Sequence, residues 1–164
     1  MRIRLTKVSD LQHALELVRD DGSCETVELV TREALFHDFL HFAVEHAMGT
    51  QGGFWGALAS GKTMADLNDR TGATISEFAK TLYEVERAVG MMTGSLKSEA
   101  PAARAAATMR EYHAQLQQGE ADWCTEAFVA EVREQMRRLM GQWKSTPFGQ
   151  SMEIVWVEED QSGR

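Results

Sequence analysis

The sequence predicts an α+β fold in which an N-terminal antiparallel sheet packs against a bundle of about four to five helices. Apolar and polar residues alternate in the first 31 residues and again near the C-terminus, as is typical of half-buried strands. Between these regions the apolar residues recur every three or four positions, which is the period of amphipathic helices. A chain of 164 residues can bury a core without disulfides, so we expect a single domain over residues 1–164.

Three strands are predicted in a β-hairpin region over residues 1–31. The segment Asp20-Asp21-Gly22-Ser23 separates the second strand from the third and has the composition of a hairpin turn. A further strand is predicted over residues 152–157, where Met152, Ile154 and Trp156 share one side. It has no partner nearby in sequence, so we expect it to join the N-terminal sheet as a fourth strand.

The helical region is predicted over residues 33–145. Its first helix runs from Glu33 to Met48 and ends at Gly49, a residue suited to a helix C-cap. The last helix begins near Thr125, and Pro147 breaks the chain after it. Between them the patterns predict four segments: Phe54 to Ser60, a helical turn within Met64 to Arg70, a helix over Ile75 to Met92 that Gly94 ends, and a helix that starts at Pro101.

Charge and composition exclude several classes of partner. The net charge is −8 and the basic residues form only short clusters, so we expect neither nucleic acid nor a membrane surface as a partner. The chain has only two cysteines, which are far apart in sequence, and this suits a reducing compartment. The sequence also shows neither a signal-peptide pattern nor a long apolar run, so we expect a cytoplasmic protein. The bulk properties therefore favour a non-enzymatic or interaction protein of unknown function, either a homo-oligomer or the partner of another protein.

A polar stripe on the first helix gives an alternative function. Glu33, His37, His41 and Glu45 follow one another at intervals of four residues, which places them on one helix face. Two histidines with this spacing can bind one divalent metal ion such as zinc, and a hydrolytic metal centre is one use of such a pair. His37 and His41 are therefore the predicted metal ligands, and Glu33 or Glu45 would orient an imidazole ring from behind.

The geometry of this stripe leaves two interpretations open. His37 and Glu45 are separated by about 12 Å along the helix axis, so one ion cannot bind both together with His41. A third ligand would come from elsewhere, such as His13, His113 or a distant carboxylate. In the other interpretation, the histidines bond carboxylates one turn away and stabilise a buried helix, and no metal binds. His46 lies across the helix, where we expect a core or interface position.

The segment from Gly56 to Thr63 matches the phosphate-loop pattern Gly-x4-Gly-Lys-Thr. A functional phosphate loop follows a buried strand and opens a helix, whereas the glycine-rich residues before Gly56 do not suit a strand. We therefore predict no nucleotide site, and we interpret Lys62 as an exposed charge next to a helix end.

Three segments resemble an uncharacterised family of small bacterial proteins. The run HDFLHFAVE from His37 to Glu45 is similar to a His-Asp-x-x-His-Phe-x-Val-Glu signature of that family. The run GGFWG from Gly52 to Gly56 and the early hairpin with its Asp-Asp-Gly turn are similar as well. The resemblance covers mainly residues 1–70. It implies an α+β fold and assigns no substrate and no catalytic residue.

Overall fold

A four-stranded antiparallel sheet forms one layer of the computed structural model, which describes residues 1–69, 71–116 and 121–157, except the side chain of Glu33. The strand order is β3-β2-β1-β4, so the C-terminal strand lies beside the N-terminal one. This confirms the predicted α+β fold with three N-terminal strands and a returning C-terminal strand. The strands are β1 (Arg2–Lys7), β2 (Gln12–Val18), β3 (Cys24–Val30) and β4 (Ser151–Val155).

The strand register places the apolar side chains on one face of the sheet. Leu5 of β1 is opposite Leu15 on one side and Met152 on the other, and all three are buried. The opposite face is polar, and there Arg4 donates to Glu16 across the β1–β2 pair at 2.7 Å. Because successive side chains alternate between faces, the period-two pattern becomes one buried face and one solvated face.

Helices cover the buried face of the sheet. Helix α1 lies at the centre of this layer and contacts the sheet, α4 and α6. It ends at Gly49, whose left-handed φ of 62° lets its N–H reach the carbonyl of His46, so the predicted C-cap is confirmed. The described residues contain α1 (Thr31–Met48), α2 (Phe54–Ala59), α3 (Met64–Leu67), a 3-10 helix (Ala73–Phe78), α4 (Ala79–Leu96), α5 (Ala102–Gln115) and α6 (Glu126–Ser145).

The predicted helix over Ile75 to Met92 differs from the structure at both ends. Its first residues belong to the 3-10 helix, and α4 continues through Gly94 to Leu96. A glycine inside a helix costs about 1 kcal/mol relative to alanine, and the buried contacts of Met92 and Ser95 on either side of Gly94 outweigh that cost. None of the helices in the described ranges is long and apolar enough to cross a membrane.

Candidate metal centre

The polar stripe of helix α1 runs from the protein surface into its interior. The rings of His37 and His41 have their centroids 4.5 Å apart, so the proximity expected from their spacing is confirmed. The side chain of His37 is 55% exposed, whereas that of His41 is 1% exposed. The two imidazoles therefore connect solvent to a buried polar position inside the helical layer.

Glu45 lies at the inner end of the stripe and is fully buried. Its Oε1 is 3.2 Å from Nδ1 of His41 and accepts from the backbone N–H of Phe54 at 2.9 Å. Its Oε2 accepts from the backbone N–H of Trp55 at 3.0 Å. An ionised carboxylate can only accept hydrogen bonds, so the Nδ1–H group of His41 is the donor in the hydrogen bond with Glu45. This bond fixes the orientation of the His41 ring.

The loop after α1 closes tightly over the Glu45 carboxylate. A Cβ atom at Gly53 would lie 2.3 Å from Cδ of Glu45, closer than real Cβ contacts allow. Trp55 holds the next helix in place, since its indole N–H donates to the backbone carbonyl of Asp38 at 3.1 Å. Glycine at position 53 therefore lets the backbone approach the carboxylate and donate to it from the start of α2.

A second carboxylate reaches the stripe from helix α4. Oε1 of Glu86 lies 3.3 Å from Nε2 of His41, and the Glu86 side chain is 55% exposed. This Nε2 is buried and has no partner of hydrogen-bond geometry among the described residues, so the contact with Glu86 is an ion pair without a well-directed hydrogen bond. His37, His41 and Glu86 each offer one ligand atom, and these atoms lie within 4.8 Å of one another.

The charges of this cluster are strongly coupled. Burial acts to lower the pKa of His41, but the hydrogen bond to Glu45 and the close carboxylate charges of Glu45 and Glu86 outweigh it and raise the pKa to about 9. Burial raises the pKa of the Glu45 carboxyl, although His41 and backbone N–H groups act against it. The contact with His41 lowers the pKa of Glu86. At neutral pH His41 is therefore an imidazolium between two carboxyl groups.

The third member of the cluster is one of the three kinds of ligand that the sequence suggested. The third group is the distant carboxylate, Glu86, and neither histidine suggested as an alternative belongs to it. His13 faces the core from β2, and its Nδ1 lies 3.1 Å from the Thr31 hydroxyl. His113 lies on α5, and its ring packs against the ring of Trp123. The side chain of Glu33 lies outside the described part of the chain.

His46 is not a core residue. Its side chain is 49% exposed, and its Nδ1 lies 3.0 Å from Oε1 of Glu131 on α6. The ring stacks on Phe42 with a centroid distance of 6.3 Å. It projects from another side of α1 than His41 and takes no part in the cluster.

The phosphate-loop look-alike folds as a helix and a turn. Gly56 lies inside α2, where a Cβ atom would be 2.0 Å from the backbone oxygen of Gln51. Lys62 is not the exposed charge that the sequence predicted, because its side chain is 28% exposed and its Nζ pairs with Glu77 at 2.8 Å. Arg19 donates to the carbonyls of Leu58 and Lys62 and so binds the C-terminal end of α2. The glycines of this segment thus serve packing and chain reversal around α2.

Comparison with known proteins returns no match. No protein-family model fits the chain, and no curated protein and no solved structure is significantly similar to it. The resemblance of the HDFLHFAVE run to an uncharacterised bacterial family therefore stays a prediction.

Proposed function

We propose that the protein binds a divalent transition-metal ion, with zinc as the best fit, through His37, His41 and Glu86. The observation that carries this proposal is the convergence of three potential ligand atoms within 4.8 Å of one another. Two of the ligands come from α1 and one from α4, so an ion would join two helices that are distant in sequence. Imidazole and carboxylate groups together suit zinc better than magnesium or calcium, which prefer oxygen ligands alone.

The distance between His41 and Glu86 agrees with the dimensions of a tetrahedral site. Zinc bonds of 2.0–2.1 Å place neighbouring ligand atoms about 3.4 Å apart. Nε2 of His41 and Oε1 of Glu86 are 3.3 Å apart, which is close to that separation. The His37 side chain is 55% exposed and its ligand atom lies within 4.8 Å of the other two, so binding an ion would require it to move closer to them.

Glu45 supplies the support that metal-binding histidines use in other proteins. A histidine ligand commonly donates its second ring N–H to a carboxylate, which fixes the ring and makes the other nitrogen a better ligand. Glu45 accepts from Nδ1 of His41 at 3.2 Å, and Nε2 faces His37 and Glu86. In the metal-free protein a proton occupies Nε2, because the pKa of His41 is about 9. Zinc displaces this proton, so its affinity should rise as the pH rises toward 9.

Three protein ligands leave one position of a tetrahedral ion for water. The side chains of His37 and Glu86 are both 55% exposed, which supports a water position on the solvent side of the cluster. Catalytic zinc sites have this arrangement, in which the metal lowers the pKa of its bound water to about 7. Hydrolysis by metal-activated water is therefore the chemistry that we propose for the centre.

The test is a zinc titration of the chelator-treated full chain, followed by calorimetry and by the melting temperature. We expect one zinc ion per chain and a higher melting temperature for wild type. His37→Ala and Glu86→Gln should abolish both effects, and both alter exposed side chains, so the fold should persist. His46→Ala is the matched control, because it removes an exposed histidine from the same helix. Absence of saturable zinc binding to wild type, or unchanged binding to His37→Ala, would refute the proposal.

The same variants separate the metal site from a purely structural role of the stripe. If the cluster only stabilises α1, His41→Ala lowers the free energy of unfolding by about 1–3 kcal/mol to the same extent with and without zinc. If zinc binds, the difference between wild type and His41→Ala grows with zinc concentration, because the ion stabilises only the folded wild type.

A further inference from the structure

A groove between helices α4 and α5 belongs to no site described so far. Each of these helices packs mainly on another one, α4 on α1 and α5 on α6, and a space of about 1060 Å³ lies between them. Pockets for small organic ligands range from about 300 to 1,000 Å³, so this groove is large enough for one. From the size of this groove and the residues that line it, we infer a second binding site, for an organic anion with a long apolar body.

The walls of the groove supply the apolar part of the recognition. The lining includes Met91 from α4, Met109 and Tyr112 from α5, and Leu116 just after α5. Thioether side chains are flexible and polarisable, so they adapt to a chain-like ligand better than branched side chains do. Tyr112 and Leu116 are among the large apolar residues that are exposed to solvent, with 52% and 46% of their surface accessible. A ligand with an extended hydrocarbon part would cover them.

The floor of the groove is open because α4 has glycine at two positions that face it. A Cβ atom at Gly90 or Gly94 would have no heavy atom within 4 Å, so the space over both residues is empty. The glycines are not required by backbone conformation, since both lie in regular helix, where glycine is less stable than alanine. Their structural effect is to leave the helix backbone bare where a ligand would lie.

Two arginines define the charge of the ligand. Arg87 and Arg104 line the groove on a chain whose net charge is −8. The Arg87 guanidinium carbon lies 5.0 Å from the centre of the Tyr83 ring, which holds that side chain in position. A guanidinium group binds carboxylate or phosphate oxygens in pairs, so an anionic head group suits a groove lined by arginine.

Hydrogen bonds from α6 fix the two helices that form the groove. Arg133 on α6 donates to the carbonyl of Ala100 at 2.7 Å and to that of Ser95 at 3.1 Å. These bonds join the end of α4 to the segment that precedes α5 and fix the spacing of the two helices. A preformed groove needs no reorganisation before it binds, which favours affinity.

Dodecanoate is a suitable probe, and dodecyltrimethylammonium is its cationic counterpart of equal chain length. An acidic protein attracts the cation non-specifically, so preference for the anion isolates the contribution of the arginines. We expect calorimetry to show saturable binding of one dodecanoate per chain. The affinities for the cation and for acetate should be at least about tenfold lower. Equal affinity for the anion and the cation, or no saturable binding of dodecanoate, would overturn the inference.

Gly90→Leu provides the mutational arm of the test. The Cβ atom of the new side chain meets no heavy atom within 4 Å, and leucine is the better helix former, so the fold should persist. The rest of the side chain takes up space in the groove, so dodecanoate binding should weaken at least about tenfold. Gly141→Leu is the matched control on α6, where a Cβ atom also has no neighbour within 4 Å, and it should leave the affinity unchanged. Wild-type affinity in Gly90→Leu would contradict the inference. Arg104→Gln should lower the affinity for dodecanoate and leave the affinity for the uncharged dodecanol unchanged.

Discussion

Two histidines on different sides of helix α1 each form a pair with a carboxylate, and the nitrogen–oxygen distances are similar. His41 and Glu45 are 3.2 Å apart and are 1% and 0% exposed, whereas His46 and Glu131 are 3.0 Å apart and are 49% and 44% exposed. Water screens the exposed pair, so it contributes about 0–1 kcal/mol. The buried pair is desolvated and is stable only because other groups compensate both charges. Distance alone therefore does not distinguish a surface ion pair from a potential functional centre, and burial does.

The buried pair should be far more sensitive to truncation than the exposed one. We expect Glu45→Ala to lower the free energy of unfolding by about 3–5 kcal/mol, because it leaves the His41 charge without its buried partner. The N–H groups of Phe54 and Trp55 would also lose their acceptor. Urea denaturation measures this loss. A loss for Glu45→Ala no larger than that for Glu131→Ala would show that burial does not separate the two pairs.

The close approach of the loop to Glu45 is the next most sensitive feature. We expect Gly53→Ala to cost about 1–3 kcal/mol, because its methyl group would overlap the Glu45 carboxyl group and force it to move. Gly141→Ala is the control, and it should raise stability by about 0.5–1 kcal/mol through helix propensity alone. Thermal denaturation of both variants is the measurement. If Gly53→Ala is as stable as wild type, the carboxylate is not held by the loop.

The pH dependence of stability should follow the buried pair. The pKa of His41 is raised from 6.5 to about 9, so the folded protein binds this proton more tightly than the unfolded chain does. The resulting stabilisation is fully present below pH 6.5 and is lost as the pH rises through about 9. The stability difference between wild type and His41→Gln should therefore shrink over this interval. An imidazole titration of His41 by NMR with a midpoint near 6.5 would contradict the coupling.

The smallest effect is expected at the exposed pair. His46→Ala should change the free energy of unfolding by no more than about 1 kcal/mol, since its partner Glu131 remains hydrated. Moderate salt should reduce even this difference. A double-mutant cycle of His46 and Glu131 measures the interaction directly, and a coupling well above 1 kcal/mol would make the exposed pair a structural contact in its own right.

The sequence predicted the elements of the fold better than the composition of the site. Alternation identified the strands, and the four-residue spacing placed His37, His41 and Glu45 on one face, because both patterns are local. Glu86 could not be identified in this way, since its contact with His41 depends on how α4 packs across α1. Its only signal is an acidic residue beside the buried Val85 of α4, which many solvated helices share. The core position suggested for His46 was wrong, because helical periodicity indicates a side of the helix but not which neighbour covers it.

The strand order has a consequence for how the chain folds. Strand β1 pairs with β2 through a short turn, but its other edge pairs with β4, so that Arg4 meets Glu153 across 149 positions of sequence. Closing so long a loop has a large entropic cost until the intervening helices have shortened it. We therefore expect the β1–β2 amides to gain protection from hydrogen exchange early in refolding. The β4 amides should gain theirs only in the final step, after α1 and α6 have packed.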